Sequence, residues 1–173
     1  MSERQVHAHK KQAARHVACQ VLTVSDTRTE ETDKSGRKIK ECLTAAGHSV
    51  ARYHVVPDEK EKIQQIVLQG IQDRDIDAVI INGGTGIARR DVTIEAVTPL
   101  FDKELTGFGE LFRYLSYTED IGSAAMMSRA VAGVADKTVL FSLPGSTGAV
   151  TLAMEKLVLR EIGHIVAELH KES

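Results

Sequence analysis

The sequence predicts an α/β fold, a three-layer α/β/α sandwich built on a mainly parallel sheet. Short apolar, β-branched runs alternate with longer stretches of helical period, the pattern of strands joined by helical crossovers. Such crossovers permit parallel pairing and, being right-handed, cover both faces of the sheet. A chain of 173 residues, 42% hydrophobic and 27% charged, also suits one domain with a substantial core.

Residues 1–15, MSERQVHAHKKQAAR, have no apolar period and read as a flexible N-terminal arm, so the domain is expected over 16–173. HVACQVLTVS (16–25) is β-branched enough for a buried strand. After a polar loop, Ile39, Leu43 and Ala46 fall at helical spacing within 36–46, and Gly47 supplies the stop. SVARYHVV (49–56) follows as a strand. In 58–72 a helix sets Ile63, Ile66, Val67 and Ile71 on one face. DAVIIN (77–82) is the clearest buried strand. Between 103 and 128, GFGELFRYLSY reads as helical, and GSAAMMSRA as a short helix or a pocket wall. DKTVLFSL (136–143) is a further strand and PGST a turn. A long helix over 149–171 closes the chain, with Val150, Ala153, Leu157, Ile162, Ile165 and Leu169 largely on one face.

Several function classes are disfavoured at once. A formal charge of -2 provides no basic field to collect nucleic acid. The apolar runs, such as AVII at 78–81, are far too short to span a membrane, and the first residues lack a signal-peptide hydrophobic region, so a cytoplasmic protein is expected. Cys19 and Cys42 have no CxxC spacing and read as small core residues. The histidines lack zinc-ligand spacing. Met126 and Met127 read as core or interface filler.

Chemistry concentrates after the strands. In open parallel sheets ligands bind beyond the carboxyl ends of the strands, and there the chain places Ser25 and Asp26, Pro57 and Asp58, Asn82 and Gly83, and Pro144 and Gly145. Gly83, Gly84, Thr85 and Gly86 form bare backbone that phosphate can approach closely. Arg89 and Arg90 add donors for phosphate oxygens, and Asp91 could hold a bridging divalent cation. The stretch is neither a P-loop nor a dinucleotide fingerprint, since no GK[ST] follows and GxGxxG is absent. Two readings stay open for each carboxylate. Asp91 caps the next helix or binds metal; Asp58, with Glu61 three residues on, forms a capping box or shares that metal. LPGSTGAV (143–150) offers either a second anion site or a simple loop in which Ser146 or Thr147 caps a helix.

The motifs TVSDTR (23–28), DKSG (33–36), PD (57–58), GGTGIARRDVT (83–93), GFGELFR (107–113), SRA (128–130) and LPGSTGAV (143–150), taken in order, resemble the MoaB/MogA family of molybdenum cofactor biosynthesis. Ile94, where many MogA-type members carry proline, and the PGSTGAV wording place the chain nearer the MoaB branch. The resemblance implies transfer of AMP from ATP to the terminal phosphate of molybdopterin, with Mg2+ required and pyrophosphate released. It implies that Asp58 and Asp91 are the catalytic, magnesium-binding carboxylates. By the same resemblance Gly83, Gly84, Thr85, Gly86 and Arg90 hold nucleotide phosphates, while Ser25, Asp26, Gly145 and Ser146 line the pterin side. A homotrimer, or a hexamer of paired trimers, and a downstream molybdate-inserting partner follow from it too. A rival reading is a protein that binds molybdopterin or its precursor without adenylylating it.

Overall fold

The computed structural model describes residues 15–171; the expected arm, apart from Arg15, lies outside the described residues. Six strands form one sheet in the order β2-β1-β3-β6-β5-β4. The strands are β1 (Ala18–Val24), β2 (Ser49–Val56), β3 (Ala78–Asn82), β4 (Lys103–Glu104), β5 (Val131–Ala135) and β6 (Thr138–Leu143). The first four in that order, β2, β1, β3 and β6, are mutually parallel. The last two, β5 and β4, run antiparallel.

The helices between them are α1 (Lys34–Ala45), α2 (Lys60–Gln72), α3 (Thr93–Val97), α4 (Thr106–Glu119), α5 (Thr147–Ala153) and α6 (Leu159–Leu169). Alternation along each strand sorts the side chains into two cores. Cys19, Val21, Ile80, Phe141 and Leu143 pack against α1, α4, α5 and α6 on one face. Leu22, Val24, Val79, Ile81 and Leu140 pack against α2 and α3 on the other. Both sides of the central strands are therefore buried, which is why they read as continuous apolar runs and not as alternating ones. The α/β sandwich expected from the sequence is the fold observed. No helix among the described residues is long and apolar enough to cross a membrane.

Two points of the sequence reading need correction. The strands β4 and β5 escaped prediction because one has two residues and the other, VAGVA, joins β6 in a tight hairpin with Asp136 at φ 52°. The long final helix is interrupted by a π-helical turn at Met154–Val158. The GSAAMM segment is a short helix, as one of its two readings had it, of 3-10 type at Gly122–Met127, and its Ala124 and Met127 line the cleft described below; Met126 is 80% and Met127 49% exposed, so neither methionine is core. Cys19 and Cys42 are indeed buried free thiols. Burial, reinforced by the Asp77 charge, pushes the Cys19 thiol up to about 12, so it is no nucleophile.

Candidate functional site

The carboxyl ends of β1, β2, β3 and β6 open into a cleft of about 500 Å3. Its centre is the loop after β3, which only glycine can form. Gly83 has φ +94°, and a Cβ there would stand 2.2 Å from the carbonyl oxygen of Val24. Gly84 has φ +65°, and its Cβ would meet the Thr93 hydroxyl at 2.2 Å. Left-handed backbone and close approach to β1 therefore both demand a missing side chain. Thr93 pins this loop, donating from Oγ1 to the Gly83 carbonyl at 2.8 Å and from its amide to the Gly84 carbonyl at 3.0 Å.

Arg129 holds the loop's far side. Its guanidinium donates to the Gly86 carbonyl at 3.0 and 2.7 Å and to the Asp91 carbonyl at 3.2 Å, and it pairs with Glu95. Sequence reasoning singled out Arg129 only within the SRA motif, because its partners lie more than thirty residues away and leave no local signature.

The helix-capping alternatives for the two carboxylates are not what the structure contains. Helix α2 begins from Glu59, and no side chain caps it, so Asp58 and Glu61 make no capping box. Helix α3 begins from Val92, again without a side-chain cap. Asp91 instead closes its own turn, accepting from the Ala88 amide through Oδ2 at 2.9 Å. No side chain among the described residues hydrogen-bonds or ion-pairs with the Asp58 carboxylate, whose nearest donor is the Asp26 backbone amide, while the Asp58 amide itself donates to Asp26 Oδ1 at 3.1 Å. Both carboxylates face the glycine loop: a Cβ at Gly84 would lie 3.1 Å from Asp58 Oδ1, and one at Gly86 would lie 2.7 Å from Asp91 Oδ2. Burial, followed by the Asp26 charge and with Asp91 adding to it, holds the Asp58 carboxyl above its ordinary 3.8.

Most of the sequence-derived residues converge. Ser25, Asp58, Gly83, Gly84, Thr85, Gly86, Asp91, Gly145 and Ser146 line the cleft. Ser146 is the cap of α5, accepting from the Ala149 amide at 3.2 Å, so the second anion motif is a capped helix start that opens onto the same cavity. Ser25 folds its own loop by accepting from the Thr27 and Arg28 amides. Asp26 and Arg90 stand apart from the cleft wall. Arg90 donates to both oxygens of Asp26 at 2.9 and 2.7 Å, and this contact holds the Asp26 carboxyl low. Arg89 is exposed.

Beneath the cleft lies a cluster that sequence reasoning missed. Asp33 is fully buried; it accepts from Thr23 and Tyr53 hydroxyls at 2.5 Å each and caps α1 through the Gly36 amide at 2.9 Å. Asn82 extends the chain, donating to Thr23 Oγ1 at 2.8 Å. Arg28 lies 3.8 Å from Asp33 and donates twice to the Gly145 carbonyl, which also accepts from Ser35 at 2.6 Å. The DKSG motif contained this aspartate, but its cap pattern gave no hint of Tyr53 or Thr23.

A divalent cation suits the two cleft carboxylates. Asp58 has a partially desolvated, unpaired carboxylate and Asp91 has one oxygen outside its turn, on either side of backbone open to phosphate. No group of three or more His, Cys, Asp or Glu side chains arranged to hold a metal occurs among the described residues. Magnesium in such surroundings takes one or two carboxylates and completes its shell with phosphate and water.

Fold and cleft together define an α/β ligand-binding domain whose site lies at the carboxyl ends of parallel strands. A family described as "Probable molybdopterin binding domain" matches residues 20–164. Molybdenum cofactor biosynthesis protein B of Bacillus subtilis is 61% identical over 167 residues, covering 96% of this chain and 98% of the relative. A crystal structure of a molybdenum cofactor biosynthesis protein B superposes with a TM-score of 0.89 at 60% identity, covering 91% of this chain and 98% of that one. The tungsten cofactor synthesizing protein MoaB from Pyrococcus furiosus does so at 0.80 and 41%, covering 91% and 99%. The chain belongs to the MoaB/MogA family of molybdenum cofactor biosynthesis proteins.

Proposed function

We propose that this chain is a molybdopterin adenylyltransferase, transferring AMP from ATP to molybdopterin and releasing pyrophosphate. One observation carries the reading: two carboxylates without side-chain partners, one of them partly desolvated, flank a glycine loop whose backbone admits phosphate. An oxygen of the terminal phosphate of molybdopterin forms a bond to the α-phosphorus of ATP. The bond from that phosphorus to the bridging oxygen breaks, and pyrophosphate leaves. A phosphate monoester is already anionic near neutral pH, so this reaction needs positioning and charge neutralisation more than a strong base.

Asp58 and Asp91 would hold Mg2+, which neutralises charge on the phosphates when bound. Gly83 to Gly86 offer main-chain contacts to phosphate, and the Arg129 and Thr93 bonds keep that loop rigid enough to position it. Arg90 and its partner Asp26 sit at the rim, where an incoming phosphate competes for the guanidinium. Ser25, Gly145 and Ser146 form the wall towards the pterin.

The reading places the protein in the cytoplasm, where two free cysteines stay reduced. It includes assembly into a trimer or a hexamer: Leu111, Tyr114 and Tyr117 on α4 and Met126 on the 3-10 helix that follows are large hydrophobic side chains more than half exposed. Passing the product to a molybdate-inserting partner belongs to the same reading.

Incubation with molybdopterin, ATP and Mg2+, followed by product analysis, tests the enzyme. Adenylylated molybdopterin and pyrophosphate in equal amounts are expected. Tight molybdopterin binding without product would replace the enzyme by a carrier.

A further inference from the structure

The cleft has two chemically different ends. One holds Asp58, Asp91 and the glycine loop; the other is walled by Phe112, Ile121 and Met127, with Ser116, Asp120 and Ser128 as its polar groups. Sheet order separates them. Asp58 follows β2, whereas Asp120 lies beside α5, the helix that follows β6, and those strand ends are three spacings apart, roughly 14 Å.

Asp120 ends α4 and its carboxylate extends over the first turn of α5: a Cβ on Gly148 would lie 3.8 and 3.9 Å from its oxygens. Its backbone amide donates to the Ser116 carbonyl at 3.2 Å, and the carboxylate is exposed, open to solvent and ligand. A second polar group at this end, by contrast, is shut away from water. The Ser128 Oγ is buried without a hydrogen-bond partner among the described residues. A buried hydroxyl without a partner costs stability unless a ligand satisfies it.

We propose that Asp120 is the specificity-determining residue for the ring of the bound pterin, accepting hydrogen bonds from its 2-amino group and the adjacent ring N–H. The inference rests on the molybdopterin-binding reading above and names the group that would select the ring. Two donors side by side match the two oxygens of one carboxylate, a bidentate arrangement. Adenine does not offer this. Its exocyclic amine sits beside an acceptor nitrogen, so one carboxylate oxygen would gain a bond and the other would face a lone pair. The Asp120 end therefore takes the pterin and leaves the nucleotide to the glycine loop. The neighbouring apolar side chains cover the faces of a flat ring, and Ser128 Oγ supplies a donor for its carbonyl oxygen.

Fluorescence titration with neopterin monophosphate, and with the lumazine analogue in which oxygen replaces the 2-amino group, tests this on the full chain. The parent should prefer the pterin by at least about tenfold, because a site built to accept from an amine rejects a carbonyl in its place. Asp120→Asn, whose amide can also donate, should lose at least about tenfold in pterin affinity and bind both rings within about threefold of each other. Its ATP affinity and melting temperature should match the parent's. Parental preference for the pterin in Asp120→Asn overturns the assignment, as does equal loss of pterin and ATP. If the parent binds neither ring, the molybdopterin reading falls and this assignment falls with it.

Discussion

The loop leaving β1 and the loops leaving β2 and β3 each carry carboxylates, and they use them in opposite ways. Asp33, at the end of the first, is fully buried and receives Thr23, Tyr53 and the Gly36 amide. Asp58 and Asp91, on the other two, face the cleft, one unpaired and one bound only to its own turn. A carboxylate supplied with donors fixes the chain around it. One whose burial and like-charged neighbours outweigh its single backbone donor is held in an unfavourable state that a cation relieves. The difference separates scaffold from site more clearly than distance from the cleft does.

The largest effect should come from removing charge on the open side. Asp91→Asn keeps the fold, since the amide oxygen still accepts from Ala88, but should lower AMP transfer by at least about 100-fold. Product formation at the parental rate would make Asp91 a mere turn residue. The closed side should respond in the opposite currency. Asp33→Ala leaves two hydroxyls and a buried amide without an acceptor, so urea unfolding should reveal a loss of about 3 kcal/mol. A loss under about 1 kcal/mol would erase the contrast.

A smaller change probes the same divide at Asp58. Asp58→Ser should alter stability by less than about 1 kcal/mol, for its carboxylate makes no cap. AMP transfer should nevertheless fall by at least about tenfold, with weaker magnesium dependence of ATP binding in calorimetry. An active Asp58→Ser protein with unchanged magnesium coupling would leave Asp91 acting alone.

The smallest effect is a pH dependence. Because the folded Asp58 carboxyl lies above its ordinary 3.8, its contribution to stability is full below that value and is lost as pH rises through the folded one. Metal-free Asp58→Asn escapes this loss, so it should gain on the parent as pH rises from below 3.8 towards neutrality. Urea midpoints measured across that range check the sign, and a gain on acidification would refute it.

What could be read in advance follows the same division. The open carboxylates and the glycine loop were legible because strand ends and bare backbone are local features: DAVIIN runs straight into GGTG. The parallel strands were legible too, since burial on both faces writes itself into a continuous apolar run. The closed network was not. Thr23, Asp33, Tyr53 and Asn82 come from three strands and a loop, and nothing in their spacing predicts that they meet. Arg129 and Asp120 were hidden for the same reason. Asp58 and Asp91 each allowed a capping explanation, which only the starts of α2 and α3 at Glu59 and Val92 dismiss.

The pairing of β3 with β6 has a consequence for the growing chain at the ribosome. Asn82 lies beside Leu143, whereas β1, β2 and β3 find their neighbours within the first half of the sequence. Synthesis runs from the N-terminus, and the early half can begin to pair while the later residues are still being added. Gly145 and Ser146 arrive only after β6, behind a long loop whose closure is entropically slow. An unfinished chain therefore has the glycine loop but lacks the wall opposite it, and a nascent polypeptide cannot complete the cleft before β6 and the start of α5 are within reach.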